Sequence, residues 1–124
     1  MKGNGAMAGP DRAGHLPWLS LVTVRGPSMA PAVRSGDRLL AMRVRGRLGP
    51  RVRPGALVLA EWSVRPDLLA VKRVIRSMPD GFWVEGDNHY GSDDSRTYGA
   101  ATVRAVVLAR CWPWPPWIRA TLRR

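Results

Sequence analysis

The apolar residues of this chain occur in short runs, and glycine or proline ends almost every run. The 124 residues include 13 Gly and 11 Pro, a content that excludes a bundle of long helices because both residues interrupt helices. Short runs rich in Val, Ile and Leu between such turn signals are typical of β-strands. We therefore expect a small, mainly β domain of short strands and irregular loops, with strands near residues 19–24, 38–42, 56–62, 68–75, 82–85 and 102–110.

The connections between these runs are also informative. Residues 43–54 are dominated by Arg, Gly and Pro and offer no apolar face, so we expect an exposed loop there. The Arg-Pro-Asp sequence at 65–67 is a turn signal. It predicts a hairpin between the runs 56–62 and 68–75.

Length and charge limit the function classes. A chain of 124 residues with 45% hydrophobic residues is one globular domain. Twenty Lys and Arg against nine Asp and Glu give a net charge of +11, which favours an anionic partner such as nucleic acid or a membrane surface. A general bias toward Arg in the coding composition explains the excess equally well. Cys111 is the single cysteine, which excludes an intramolecular disulfide and a paired-cysteine zinc site.

We divide the chain into a flexible leader at 1–17, a folded domain at 18–111 and a Trp-, Pro- and Arg-rich tail at 112–124. No run approaches the roughly 20 apolar residues that span a bilayer, and the leader lacks the apolar segment of a secretory signal. We therefore expect a protein that is cytoplasmic or peripheral at the membrane. The tail either contacts anionic lipid through its rings and cations or packs as ordinary core.

The segment from Gly26 to Pro31 places the hydroxyl of Ser28 on a turn directly after a predicted strand. An exposed turn suits a nucleophile, and the N–H of Ser28 can point at an oxygen held above its own Oγ. Gly, Pro and Ser are also ordinary turn residues. Ser28 is therefore open to two interpretations, a nucleophile or a plain turn serine.

Lys72 interrupts the apolar run 68–75, where strand alternation places it on one face with Ala70 and Val74. A lysine on an apolar face loses hydration, which lowers its pKa and yields a neutral amine that can accept a proton. A serine paired with a lysine base is a recurrent nucleophilic dyad. The alternative is a strand-edge lysine whose amine reaches water.

Several ordered motifs resemble the signal peptidase I-like serine peptidases of family S26. Ser28-Met29-Ala30-Pro31 resembles the Ser-Met-x-Pro box, Gly36-Asp37 the Gly-Asp that follows it, and Lys72-Arg73 the Lys-Arg box. Residues 86–96 match the Gly-Asp-Asn-x-x-x-Ser-x-Asp-Ser-Arg box without a mismatch.

The resemblance implies a signal-peptidase-like β fold and a serine endopeptidase without metal or cofactor, with Ser28 as nucleophile and Lys72 as general base. The substrate would be a precursor protein or leader peptide bound as an extended strand, with small side chains before the cut. Oxyanion and substrate contacts would come from Gly26, Ser28, Met29 and Pro31. Support of the dyad would come from Gly36, Asp37, Arg73, Gly86, Asp87, Asn88, Asp94, Ser95 and Arg96.

The motif at 86–96 also carries its own chemical predictions. Asp94 and Arg96 can form a charge-assisted pair, and Ser95 can orient the Lys72 amine. The alternatives are a solvated acidic turn, a divalent-metal loop, or a thiol dyad of His89 with Cys111. The metal loop would use Asp87, His89, Asp93 and Asp94.

The chain departs from the bacterial preprotein-processing members at Gly26, where those often have a serine. We also expect none of their N-terminal membrane helices within residues 1–124. The runs at 53–55, 65–73 and 81–84 look most like the maturation proteases of nickel-type superoxide dismutase. That resemblance implies removal of the leader of a superoxide dismutase precursor. Generic signal peptide processing is the alternative within the family. A non-catalytic basic β module that binds nucleic acid or anionic membrane is the alternative outside it; as an enzyme, the chain has no expected nucleic-acid partner.

Overall fold

The computed structural model describes residues 17–45, 51–88, 90 and 93–112. Within these ranges the chain is mainly β, as the sequence predicts. The strands are β1 (Leu19–Thr23), β2 (Arg38–Arg43), β3 (Leu57–Trp62), β4 (Arg65–Met78), β5 (Gly81–Glu85) and β6 (Thr102–Trp112), and one helical turn, α1 (Ser95–Tyr98), precedes β6.

The six strands form one antiparallel sheet in the order β1-β2-β6-β3-β4-β5. The sheet turns back on itself at one end, because Phe82 of β5 also pairs with Ala101, just before β6. The two residues exchange N–H···O bonds of 2.9 and 2.8 Å. The half of the sheet that carries β3 to β6 is therefore wrapped around its own apolar centre.

Strand alternation places apolar side chains on both faces of the sheet. In β3, Leu57 and Leu59 point into a first core, whereas Val58 and Ala60 point into a second. Burial of a Leu or Val side chain stabilises the fold by about 1.5 to 3 kcal/mol. A sheet buried on both faces explains why the central runs of the sequence read as continuously apolar.

The hairpin between β3 and β4 is present, but its turn differs from the prediction. Arg65 already pairs with Trp62 across the two strands, so Ser63 and Val64 alone connect them, and residues 65–67 belong to β4. Two-residue connections match the twist of paired strands best. Pro66 is exposed at the beginning of β4, one of the few strand positions that tolerate proline.

β4 and β6 are longer than the apolar runs that predict them, with 14 and 11 residues. The added residues of β4 are mostly polar, yet Arg76 and Ser77 pair with Trp83 and Phe82 of β5. Backbone pairing extends a strand beyond the apolar segment that nucleates it.

No helix in the described part of the chain is long and apolar enough to cross a membrane. The predicted leader and tail lie almost entirely outside the described residues, which begin at Pro17 and end at Trp112. Residues 46–50 of the predicted 43–54 loop also lie outside them. The lipid-contact and core-packing interpretations of the tail therefore both stay predictions.

Candidate active site

Ser28 lies in the loop between β1 and β2, which we call the Ser28 loop (residues 24–37). The loop is closed at its base, where the Val24 N–H donates to the Asp37 carbonyl and the Gly36 N–H donates to the Val24 carbonyl, each at 2.8 Å. Inside the loop, Met29 and Val33 are buried in the first core. Ser28 is therefore half-buried on a turn beside two fixed apolar anchors.

Gly36 and Asp37 stabilise the C-terminal end of this loop. Gly36 has a φ of +97°, a left-handed conformation that glycine adopts without steric cost. The buried Asp37 carboxylate accepts the Arg34 N–H at 2.9 Å. Both residues support the loop and neither is among the described residues that line the cavity beside Ser28.

Lys72 lies in the middle of β4, opposite Val58 of β3, with 3% of its surface exposed. Its neighbours by alternation, Ala70 and Val74, are both in the second core, as the sequence predicts. Burial lowers the pKa of the Lys72 amine from its ordinary value, because the charged form loses hydration. The carboxylates of Asp94 and Asp93 oppose this effect on the pKa without cancelling it.

Ser28 and Lys72 line one cavity of about 230 Å³. Gly26, with a φ of +84°, lies beside them in the lining. The sequence does not predict several further lining residues; of these, Leu68 could have been found, since it shares the strand alternation of Lys72. The full lining consists of Val24, Arg25, Gly26, Pro27, Ser28, Arg65, Leu68, Ala70, Val71, Lys72 and Asp93.

Met29 and Pro31, expected among the oxyanion and substrate contacts, are not in this lining. Met29 is 1% exposed and its thioether faces the protein interior, whereas Pro31 is exposed at the surface of the loop. Among the described residues, none accepts a hydrogen bond from the Ser28 backbone N–H.

Asp87 and Asn88 form hydrogen bonds to the Ser28 loop. The Asn88 N–H donates to the Ser28 carbonyl at 2.8 Å, and the Asn88 side-chain amide donates to the Pro27 carbonyl at 3.0 Å. The Asp87 N–H donates to the Met29 sulfur at 3.3 Å. Three consecutive residues, with Ser28 at their centre, are thus bonded to two consecutive residues of the motif at 86–96.

Arg73 connects Asp87 to β4, the strand that carries Lys72. Its Nε and Nη2 donate to the two carboxylate oxygens of Asp87 at 2.9 and 2.8 Å, the bidentate geometry that Arg–carboxylate pairs favour. Its Nη1 donates to the Gly55 carbonyl at 2.8 Å. Arg73 therefore links β4 to Asp87, whose N–H is bonded to Met29 in the loop of Ser28.

Asp94 is fully buried and bonds to other residues of the motif at 86–96. Its carboxylate accepts the Gly86 N–H at 2.8 Å and pairs with the Arg96 guanidinium at 2.6 Å. It also accepts the Arg96 N–H at 3.1 Å and caps the N-terminus of α1. The Asp94–Arg96 pair is thus formed as predicted, and it fixes the segment that turns back toward Lys72.

Ser95 is buried next to Asp94, and its Oγ accepts the Val84 N–H at 2.9 Å. The bond shown for Ser95 thus goes to β5, and orientation of the Lys72 amine by Ser95 stays a prediction.

Two of the three acidic side chains of the alternative metal loop have other partners. Asp87 is bonded to Arg73 and Asp94 to Arg96, which reduces the negative charge that a divalent cation needs. His89 lies outside the described residues, so the metal loop and the thiol dyad with Cys111 cannot be assembled from them. Within the described ranges there is no group of three His, Cys, Asp or Glu placed to hold a metal.

Curated relatives align with most of the chain. It is 31% identical over 116 residues to mitochondrial inner membrane protease subunit 1 of Xenopus tropicalis, covering 75% of this chain and 69% of that protein. It is 30% identical over 115 residues to the subunit 1 of Schizosaccharomyces pombe, covering 75% and 73%. The mitochondrial ATP-independent inner membrane protease subunit 1a of Arabidopsis thaliana is 29% identical over 121 residues, covering 77% and 71%.

No protein-family model and no solved structure matches the chain. The relatives correct one expectation from the sequence. A cytoplasmic location is wrong, because these relatives are proteases of a membrane, as their names state. The expectation rested on the lack of an apolar run, and a protein can belong to a membrane without one.

Proposed function

The chain belongs to the S26 signal peptidase-like family, and we propose that it is a serine endopeptidase with Ser28 as nucleophile and Lys72 as general base. One observation carries this proposal. The hydroxyl-bearing turn and the desolvated lysine line the same cavity, although 44 positions separate them in the sequence. Enzymes that use lysine as a base need it neutral at working pH, and burial lowers the pKa of Lys72 in that direction.

The proposed reaction has two halves. The neutral Lys72 amine takes the proton of Ser28 as Oγ attacks the scissile carbonyl carbon, and the resulting ammonium protonates the leaving amine. The ester left on Ser28 is then attacked by a water molecule whose proton passes to Lys72. This second step releases the acid product and restores the Ser28 hydroxyl.

The developing oxyanion needs donors, and the Ser28 N–H is the one that we assign to it. Asn88 supports this assignment, since its side-chain amide donates to the Pro27 carbonyl and its N–H donates to the Ser28 carbonyl. The first bond constrains the peptide plane that carries the Ser28 N–H. Gly26 has no side-chain hydroxyl to add a second donor. A neighbouring backbone N–H or a water molecule would complete the hole.

The substrate that we propose is a precursor protein whose N-terminal leader is removed. The nickel-type superoxide dismutase precursor is the specific candidate, on the strength of the sequence runs at 53–55, 65–73 and 81–84. The relatives are named as subunits of mitochondrial proteases, which supports peptidase activity and raises a second subunit as a partner. Their names do not favour one precursor over another.

The full chain should be incubated with a nickel-type superoxide dismutase precursor and, separately, with a secretory preprotein, and new N-termini should be identified by mass spectrometry. We expect the wild-type chain to produce a defined N-terminus and Ser28→Ala to produce none. If the secretory preprotein is cleaved and the superoxide dismutase precursor is not, the proposed substrate is wrong and a secretory preprotein takes its place. Equal cleavage by wild type and Ser28→Ala, or inhibition by a chelator that added metal reverses, would contradict the proposed chemistry.

A further inference from the structure

The cavity that contains Ser28 and Lys72 has an uneven distribution of charge. Much of its lining is apolar, from Val24, Leu68, Ala70 and Val71. Its arginines are Arg25 and Arg65, and its one described carboxylate is that of Asp93. Apart from the amine of Lys72, the lining of the cavity therefore contains two permanent cations and one anion.

Arg65 is held in place although its side chain is 45% exposed. Its Nη1 donates to the Tyr98 hydroxyl at 2.9 Å, and its guanidinium lies 5.8 Å from the centre of the Tyr98 ring. The Tyr98 ring in turn packs at 5.2 Å on Trp62, which is 2% exposed and donates to the Gly99 carbonyl at 2.9 Å. A buried aromatic support therefore fixes the direction of an exposed cation.

The acidic side chain that pairs with Arg65 among the described residues leaves room for a ligand. Asp67 approaches the Arg65 Nε only to 3.6 Å, and the Asp67 side chain is 78% exposed. Exposed pairs of this kind contribute little. A guanidinium has five N–H donors, and the hydrogen bond to Tyr98 uses one of them.

We propose that Arg65, assisted by Arg25, binds an acidic side chain of the precursor and so selects substrates with Asp or Glu at a set distance from the scissile bond. This inference rests on the proposed function and names the substrate class for the same cavity. The planar guanidinium matches a carboxylate in a bidentate geometry. The pre-fixed side chain loses less conformational freedom on binding than a mobile one.

The distance follows from the strand. Lys72 comes seven positions after Arg65 in β4, about 23 Å for extended backbone at roughly 3.3 Å per residue. The charged ends of these long side chains can approach each other more closely than their backbones. For a substrate that is also extended, the selected carboxylate is therefore about three to seven residues from the scissile bond.

The test uses a degenerate mixture of unstructured peptides, long enough to reach past the Arg65 position on either side of any cleaved bond. Full-length wild-type protein and variants digest the mixture, and mass spectrometry maps residue preference at each position around the cleaved bonds. We expect Asp and Glu to be enriched about two- to fivefold at one position in that range, as for a single partly exposed ion pair. Arg65→Gln should lose the enrichment, Arg65→Lys should keep part of it, and Arg65→Glu should favour Lys or Arg there.

Arg76→Gln is the matched control. Arg76 lies on the same strand and stacks on Trp83 at 4.9 Å but is not in the cavity lining, so its variant should keep the wild-type preference. Ser28-dependent cleavage without acidic enrichment, or enrichment unchanged in Arg65→Gln, would overturn the inference while leaving the peptidase proposal intact. Absence of Ser28-dependent cleavage from the whole mixture would contradict the peptidase proposal itself.

Discussion

Ser28 and Lys72 are positioned by two different kinds of structure. Lys72 lies in the middle of a 14-residue strand, where β3 and β5 pair along its two edges. Ser28 lies in a loop, and its neighbour Pro27 is fixed by a residue 61 positions later in the sequence. Lys72 is thus placed by repetitive backbone pairing, whereas the position of Ser28 depends on a few specific contacts from the motif at 86–96. Changes near Ser28 should therefore affect geometry more than stability, and changes near Asp94 should affect both.

The largest effect is expected on the strand side of this comparison. Lys72→Met should lower cleavage by on the order of 10⁴-fold, because a serine without its base is a weak nucleophile and the pair acts as a unit. The unfolding free energy should not fall at neutral pH, since methionine fills a similar volume without a buried charge. Cleavage assays and urea unfolding measure the two effects.

The pH dependence of that stability has a defined sign. Because the pKa of Lys72 is lowered in the fold, the unfolded chain binds this proton more tightly, and wild-type stability from this group rises with pH up to the ordinary value of 10.5. The advantage of Lys72→Met should therefore be largest at neutral pH and shrink toward pH 10.5. A Lys72→Met variant that cleaves at the wild-type rate would refute the dyad.

Asp94→Asn should destabilise the motif at 86–96, which connects β4 to the loop that carries Ser28. Asparagine keeps one acceptor but removes the charge that pairs with Arg96 inside a fully buried position. We expect a loss of about 2 to 4 kcal/mol in the free energy of unfolding. Thr97→Ala, at an exposed position of α1, is the control and should change stability by less than about 0.5 kcal/mol. Equal stability of Asp94→Asn and wild type would remove Asp94 from its structural role.

Asn88→Ala tests the loop side by itself. It removes the hydrogen bond from the Asn88 side-chain amide to the Pro27 carbonyl and the one that the Asn88 Oδ1 accepts from the Tyr90 N–H. It keeps the backbone hydrogen bond to the Ser28 carbonyl. Cleavage should fall about tenfold because Ser28 is less well aligned, while the unfolding free energy falls by only about 1 kcal/mol. Ser35→Ala removes a longer, exposed bond to Gly26 in the same loop and should stay within about twofold of wild type. Parallel losses in both variants would mean that any loosening of the loop has the same effect.

Arg73→Ala should have the smallest effect of the series. It breaks the link between β4 and Asp87, but the strand pairing still places Lys72 and the backbone of Asn88 still binds Ser28. We expect a two- to fivefold loss of cleavage, as for a partly exposed pair. A loss as large as that of Lys72→Met would assign Arg73 a part in the chemistry.

The sequence predicts the strand side of this comparison better than the loop side. The alternation of Ala70, Lys72 and Val74 is visible in the sequence because strand geometry has a fixed period. The bonds from Asn88 to Pro27 and Ser28 have no such periodic signal, since they join two loops that are distant in the chain. The motif at 86–96 shows that those residues matter but not what they bind. Arg65 was not predicted for a related reason. The Arg-Pro-Asp sequence indicates a turn, and only the folded hairpin shows that Arg65 belongs to β4 and lines the cavity.

We propose that the amine of Lys72 is the neutral base for Ser28. The pKa of this amine can be measured directly, because Lys2 and Lys72 are the two lysines of the sequence. With ¹³C-labelled lysine, NMR titration yields one pKa for each ε-carbon, and Lys2→Arg assigns them. We predict a lowered pKa for Lys72 and a kcat/KM that rises with pH through the Lys72 value. An ordinary lysine pKa for Lys72, or a rate that does not follow the Lys72 titration, would contradict this assignment.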